Sequence, residues 1–287
     1  MELGRVGIWS GQLRRADPTA ISEAAAELDE LGFGAIWIPG GFGGDVFGDA
    51  GRLLAATTRA TVATGILNIW MHTPDEAATG HATLTGEHPG RFLLGLGVSH
   101  EPPVTNSGQT YARPLAKMRD YLDALDATTP PVPTGERMLA ALGPRMLELA
   151  RDRSAGAHPY LVNPDHTATA RAVLGDGPLL ATEVMVVLDE DPEQARAVAR
   201  QHLSRYMVLP NYTNNFLRHG FTDDDLLDGG SDRLVDGVIA WGDLDGIAAR
   251  IDEHHAAGAD HVCIQVLQAD AAALPRDAWR RLADVVL

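Results

Sequence analysis

Thiols are nearly absent: Cys263 is the one cysteine in 287 residues, and it lies in the apolar run Val262-Cys263-Ile264. A single thiol closes no intramolecular disulfide and builds no thiolate metal cage, so Cys263 reads as a small core residue. Positive charge is scarce as well. Lysine and arginine total 23 against 39 aspartates and glutamates, a formal net charge of −16, and Lys117 is the only lysine. That sign repels nucleic acid and anionic lipid, so neither a nucleic acid nor a membrane is an expected partner. No apolar run approaches the roughly 18 residues of a bilayer span. Met1-Glu2-Leu3-Gly4-Arg5 lacks the basic-then-apolar pattern of a signal peptide. A soluble, cytoplasmic protein is expected.

Metal-site patterns are missing too. No His-x-His follows the first strand and no HExxH occurs, which disfavours a metal-dependent barrel hydrolase, and no metal ligand set is assigned. His81 and His88 stand about two helical turns apart, too far to share an ion without other ligands. They read as structural residues. His254-His255 falls on an outer helix and receives no role. The run Asp223 to Asp225 suggests a cation site less than a helix cap, since Thr222 stands three residues before Asp225.

Hydrophobic residues make up 45% of the chain, enough for a sizeable core. They alternate between short β-rich runs and longer helical patterns. Strands are expected over 4–10, 35–39, 61–69, 92–97, 138–141, 156–160, 180–188 and 262–267. Asp17-Pro18 and Thr73-Pro74-Asp75-Glu76 carry the residue types that open helices, a capping side chain followed by proline at the first helical position. Eight strand–helix units in series predict an α/β protein of the (β/α)8 TIM-barrel class, one domain over residues 1–287. One stretch, about 207–238, breaks the rhythm, and a helical insertion between the seventh and eighth strands is expected there, as a lid or substrate-facing excursion.

Active sites of such barrels lie at the C-terminal strand ends. Those ends carry Trp9, then Pro39-Gly40-Gly41, then Asn68 to His72. Gly97-Val98-Ser99-His100-Glu101 and Leu142-Gly143-Pro144 follow the fourth and fifth strands. This rim is rich in glycine and amide groups and poor in charged pairs. It suits a large planar ligand approached by backbone. Gly95-Leu96-Gly97 lacks the third glycine of a dinucleotide fingerprint and reads as close packing.

Thr64-Gly65-Ile66-Leu67, Arg91 to Gly97, Leu139 to Leu147 and Ala256 to Val262 together resemble the luciferase-like monooxygenase superfamily, over nearly the whole chain. Within it the sequence is most similar to the deazaflavin branch, dependent on coenzyme F-420, of actinobacterial type. The resemblance implies a luciferase-like barrel and a homodimer. It also implies a non-proline cis peptide at Gly65–Ile66, bulging beneath the deazaflavin ring. Trp9, Pro39, Gly40, Asn68, Gly97, Val98 and Ser99 would then line the ring and its side chain, and Leu142, Gly143 and Pro144 would hold the cofactor phosphate at a helix N-terminus.

Many relatives carry an Asp-His pair after the second strand, where this chain reads Pro39-Gly40-Gly41-Phe42. The proton that accompanies hydride transfer therefore falls to another group, and His100 and Glu101 are the candidate catalytic residues. Tyr212 and Asn214, in the insertion, are candidate substrate contacts. The implied activity is hydride transfer between coenzyme F-420 and a small organic substrate. The alternatives are an FMN-dependent monooxygenase and a flavin-binding barrel without catalysis.

Overall fold

The computed structural model describes residues 2–41 and 43–287. Nine parallel strands are found among them: β1 (Val6–Trp9), β2 (Ala35–Gly40), β3 (Thr61–Asn68), β4 (Phe92–Gly97), β5 (Arg137–Leu139), β6 (Gly156–Ala157), β7 (Leu179–Val187), β8 (Ile239–Trp241) and β9 (His261–Val266). Chain neighbours pair from β1 through β7, and β9 closes the ring by pairing with both β7 and β1. The result is a closed eight-stranded TIM barrel surrounded by helices, in which the predicted eighth strand is β9. Most of the strand residues are buried on both faces, which is why these strands read as continuous apolar runs rather than alternating ones.

The helices are α1 (Pro18–Leu31), α2 (Val46–Ala56), α3 (Pro74–Glu87), α4 (Glu101–Asn106), α5 (Pro114–Asp126), α6 (Pro144–Arg153), α7 (Pro164–Leu174), α8 (Pro192–Leu203), α9 (Pro210–Arg218), α10 (Asp232–Val238), α11 (Leu244–Ala256) and α12 (Arg276–Val286). Their caps follow the sequence signals. The Asp17 carboxylate accepts from the N–H groups of Thr19 and Ala20. Thr73 and Glu76 form a reciprocal capping box, as do Thr222 and Asp225. No helix among the described residues is long and apolar enough to cross a membrane.

The insertion contains α9, a short 3-10 segment at Asp223–Gly229 and α10. It ends in β8, a strand the helical pattern of the segment did not announce. The cause lies in unequal strand lengths. β6 pairs with β7 only at Leu179 and Leu180, whereas β7 runs on to Val187 and exposes an edge. β8 covers that edge, with Met185, Val186 and Val187 opposite Ile239, Ala240 and Trp241. Phe216, Phe221, Leu234 and Val235 then pack the insertion onto Leu161, Met185 and Val187.

The barrel interior is filled by Trp37, Ala63, Leu93, Met138, Ala181 and Cys263, the last buried as expected. Trp37 stacks on His158 with ring centres 4.4 Å apart and donates its indole N–H to His261 Nε2 at 3.1 Å. This packed floor leaves the C-terminal strand ends as the open face.

Candidate functional site

β3 slips register against both of its neighbours, β2 and β4, and the Gly65–Ile66 peptide within the slip is cis, at the position the sequence implied. Gly65 and Ile66 are half-exposed toward the open end. The bulge sits among glycines because its neighbours have no room for a side chain. A Cβ on Gly40 would lie 2.8 Å from Leu67 Cα, one on Gly95 1.9 Å from the Thr64 carbonyl oxygen, and one on Gly97 2.4 Å from Ile66 Cδ1. The Gly-x-Gly of β4 is thus a close-packing device. Trp9 fixes the bulge from the other side by donating its indole N–H to the Gly65 carbonyl at 3.2 Å.

Asn68 ends β3 fully buried. Its Oδ1 accepts the Trp70 N–H at 3.0 Å, while Nδ2 has no partner. Trp70 in turn donates its indole N–H to the Val98 carbonyl at 2.8 Å. Ser99 follows with φ of +56°, turning the chain toward His100. Pro39 is held by Arg14, whose guanidinium donates to the carbonyls of Pro39 (2.6 Å) and Gly43 (2.9 Å) and pairs with Asp49. Phe42 lies outside the described residues.

After β5, the Leu142 carbonyl lies 3.0 Å from His166 Nε2, and Gly143 caps α6 without a side-chain bond. Pro144 follows, and the first-turn amides of this helix carry its positive dipole end. A Cβ on Gly143 would meet nothing within 4 Å, so the space above it is open.

His100 is half-buried, with its ring centre 5.5 Å from that of Tyr212. Burial is the largest influence and lowers its pKa, with the Asn211 side chain raising it in part. Glu101 opens α4 and is exposed. Tyr212 is buried and joins the strand-end face, whereas Asn214 is exposed. Both belong to α9, and residues two apart on a helix point to nearly opposite sides.

Four further residues stand on this face that the sequence reading did not single out. Tyr160, just past β6, donates its hydroxyl to Gln265 Oε1 at 2.8 Å and lies 2.9 Å from the Tyr206 hydroxyl. The Tyr160 ring also stands 5.5 Å from Trp9, and Tyr206 stands 4.9 Å from Tyr212. Glu183 is fully buried on the same face of β7 as Ala181, two residues apart along the strand. One of its oxygens accepts the Leu161 N–H at 2.9 Å and the other is unpartnered. Burial pushes its carboxyl up to about 8, so it is neutral at pH 7. Burial also raises Tyr160 and Tyr212, and takes Tyr206 to about 12. A carboxyl residue inside the apolar run Leu179–Val187 was the available signal for Glu183.

A cavity of about 250 Å3 lies between β8 and α11, lined by Asp236, Trp241, Arg250 and Glu253 among others. Arg250 is engaged there with Glu253 and two backbone carbonyls. None of the strand-end residues named above line it.

The luciferase-like monooxygenase family model matches residues 3–261 of the chain. A protein of Mycobacterium tuberculosis named as a putative coenzyme F-420-dependent oxidoreductase is 25% identical over an alignment that covers 96% of this chain and 97% of its own length. Among solved structures, the coenzyme F-420-dependent tetrahydromethanopterin reductase of Methanopyrus kandleri superposes with a TM-score of 0.76 at 17% identity, covering 100% of this chain and 99% of that one. The oxygenating constituent of 3,6-diketocamphane monooxygenase of Pseudomonas putida, in complex with FMN, reaches 0.69 at 15% identity, with 98% and 96% covered. These two likenesses establish a shared fold.

Proposed function

We propose, from the premise that this chain belongs to the luciferase-like monooxygenase family, that it is an oxidoreductase moving a hydride between coenzyme F-420 and a small organic substrate. The observation that carries the reading is the cradle around the β3 bulge. Trp9, Gly40 and Gly97 hold Gly65 and Ile66 toward the open end, where a flat ring could lie against them, and the buried Asn68 amide has a hydrogen-bond donor without a partner. A buried donor left unpaired in the protein alone is satisfied when a ligand supplies an acceptor. The M. tuberculosis relative supports the choice of deazaflavin over FMN.

On this reading the residues that hold the cofactor are Trp9, Pro39, Gly40, Gly65, Ile66, Asn68, Gly97, Val98 and Ser99 at the ring and its chain. The turn Leu142-Gly143-Pro144 receives the phosphate at the N-terminus of α6. The bound deazaflavin would supply or accept the hydride. His100, neutral at pH 7 because burial lowers its pKa, exchanges a proton beside the ring, and exposed Glu101 passes that proton to water. Tyr212 contacts the substrate. Asn214, exposed on the other side of α9, is a further candidate contact for a part of the substrate that reaches solvent. The chain works as one barrel domain and pairs as a homodimer in the cytoplasm.

An FMN monooxygenase is the second reading, favoured by the FMN-bound structural neighbour. Two assays separate them. Anaerobic turnover of F-420 with an alcohol or ketone panel, without oxygen uptake, is the expected result. Oxygen uptake driven by reduced FMN, with no F-420 turnover, would overturn it.

A further inference from the structure

Reduction of a carbonyl by a reduced deazaflavin moves one hydride and two protons. One proton leaves the ring of the carrier and one arrives on the substrate oxygen. His100 stands at the rim on the loop after β4, placed to serve the ring, which leaves the substrate oxygen without an assigned partner. Resting on the function proposed above, we propose that Tyr160 exchanges the proton with the substrate oxygen, fed from water through Tyr206, with Gln265 setting the direction of transfer.

Three contacts carry this assignment. Tyr160 stands beside Trp9, ring to ring at 5.5 Å, and Trp9 holds the carbonyl of Gly65 at the bulge. The Tyr160 hydroxyl already has a hydroxyl and an amide as partners, Tyr206 at 2.9 Å and Gln265 Oε1 at 2.8 Å. Tyr206 is half-buried and adjoins exposed Arg205, which puts it at the solvent end of the three, while Gln265 is buried.

The direction of these bonds is reversible. With the single proton of Tyr160 given to Gln265 Oε1, Tyr206 must donate to Tyr160, and the remaining lone pair on Tyr160 accepts from a substrate hydroxyl. Turning the Gln265 amide by 180° presents its NH2 to Tyr160 instead. The Tyr160 proton is then released toward a substrate carbonyl. In reduction, the carbonyl carbon gains the hydride and its two electrons, the π pair moves to oxygen, and that oxygen takes the Tyr160 proton. Tyr160 regains a proton from Tyr206, and Tyr206 from water. The proton released by the carrier's ring returns one to water, so the exchange balances.

Glu183 is a positioning residue for this chain of bonds. It accepts the N–H of Leu161, the residue after Tyr160, whose φ of +56° turns the backbone there. Among the described residues, no arginine or lysine side chain bonds Tyr160, Gln265 or Glu183; exposed Arg205 bears on Tyr206 only through its charge, and Arg14 is committed to Asp49 and two carbonyls. The substrate end so built suits an uncharged carbonyl or hydroxyl compound, not an organic phosphate.

The test uses the full chain with cyclohexanone and cyclohexyl phosphate as probes, read first by tryptophan fluorescence without cofactor. Tyr160→Phe is expected to weaken cyclohexanone binding about tenfold, with F-420 affinity at the wild-type value. With F-420 bound, hydride transfer to cyclohexanone in Tyr160→Phe is expected to slow about 100-fold and to lose its solvent deuterium isotope effect. Tyr206→Phe is expected to slow it less, and Glu183→Gln to retain cyclohexanone binding. Equal cyclohexanone affinity in wild type and Tyr160→Phe, or tighter binding of cyclohexyl phosphate, overturns the proposal. If the wild-type chain does not bind F-420, the proposed function fails, while the cyclohexanone comparison still decides the role of Tyr160.

Discussion

Gly97 and Ile66 are fitted to one another across the β3–β4 pairing: a Cβ built on Gly97 would stand 2.4 Å from Cδ1 and 2.5 Å from Cγ1 of Ile66. The glycine exists to let the isoleucine reach the open end of the barrel. Gly97→Ala must therefore displace Ile66 or its strand. A loss of about 1–3 kcal/mol in urea unfolding is expected, the range of overpacked cores, together with weaker F-420 binding. Unchanged stability and unchanged binding would mean that Ile66 moves freely and forms no part of a cradle.

Gly143 makes the opposite case. Its Cβ position is empty and its φ is −87°, so Gly143→Val fits without a clash and is expected to lose only the N-cap difference between glycine and valine, about 1 kcal/mol or less. If the cofactor phosphate sits against the first turn of α6, the added side chain obstructs it, and F-420 affinity falls by roughly tenfold, the scale of one charge-assisted hydrogen bond. Isothermal titration of the variant reads this directly.

The barrel itself was legible because its signals are local and periodic. Asp17, Thr73 and Thr222 announce helix starts within three residues, and the apolar runs of the strands are short and bounded by turns. The bulge at Gly65–Ile66 and the glycines around it were legible through resemblance. The Tyr160–Tyr206–Gln265 contact was not. It joins residues 46 and 105 positions apart, and no spacing rule brings the end of β6, the turn after α8 and β9 together before the ring is closed. β8 escaped for a related reason, since its three residues answer an edge left open by the length of β7. Tyr212 and Asn214 looked equivalent as a sequence pair, and only the helical geometry of α9 separates them.

Glu183 gives a pH test with a definite sign. In the folded chain its carboxyl stays protonated up to about 8, against 4.5 for an ordinary glutamate. Between these values the folded state binds the extra proton, so its contribution to stability falls as pH rises. Glu183→Gln has no such proton. The stability of Glu183→Gln relative to wild type is expected to improve from pH 5 to pH 8, by up to about 1.4 kcal/mol per pH unit, and to level off above. A flat difference across urea titrations at these pH values would place a charged carboxylate in the barrel.

Buried histidines add the opposite slope at lower pH. His158, His166, His202 and His261 are each lowered to about 4, with burial the largest cause. The unfolded chain binds their protons first, so stability is full above 6.5 and declines as pH falls toward 4. Thermal unfolding midpoints should drop across that window, and His158→Asn should shrink the drop. Midpoints that stay constant from pH 6.5 to 4.5 would show these rings to be accessible to water.

The central claim is that the cradle of Trp9, Gly40, Gly65, Ile66, Asn68 and Gly97 receives a deazaflavin. Titration of the purified chain with F-420 and separately with FMN, followed by fluorescence quenching, tests it most directly. Micromolar F-420 binding with negligible FMN binding is the expected result, and Asn68→Leu should weaken it by roughly tenfold, since the buried amide donor would be lost. Preference for FMN, or equal F-420 affinity in Asn68→Leu, would contradict it.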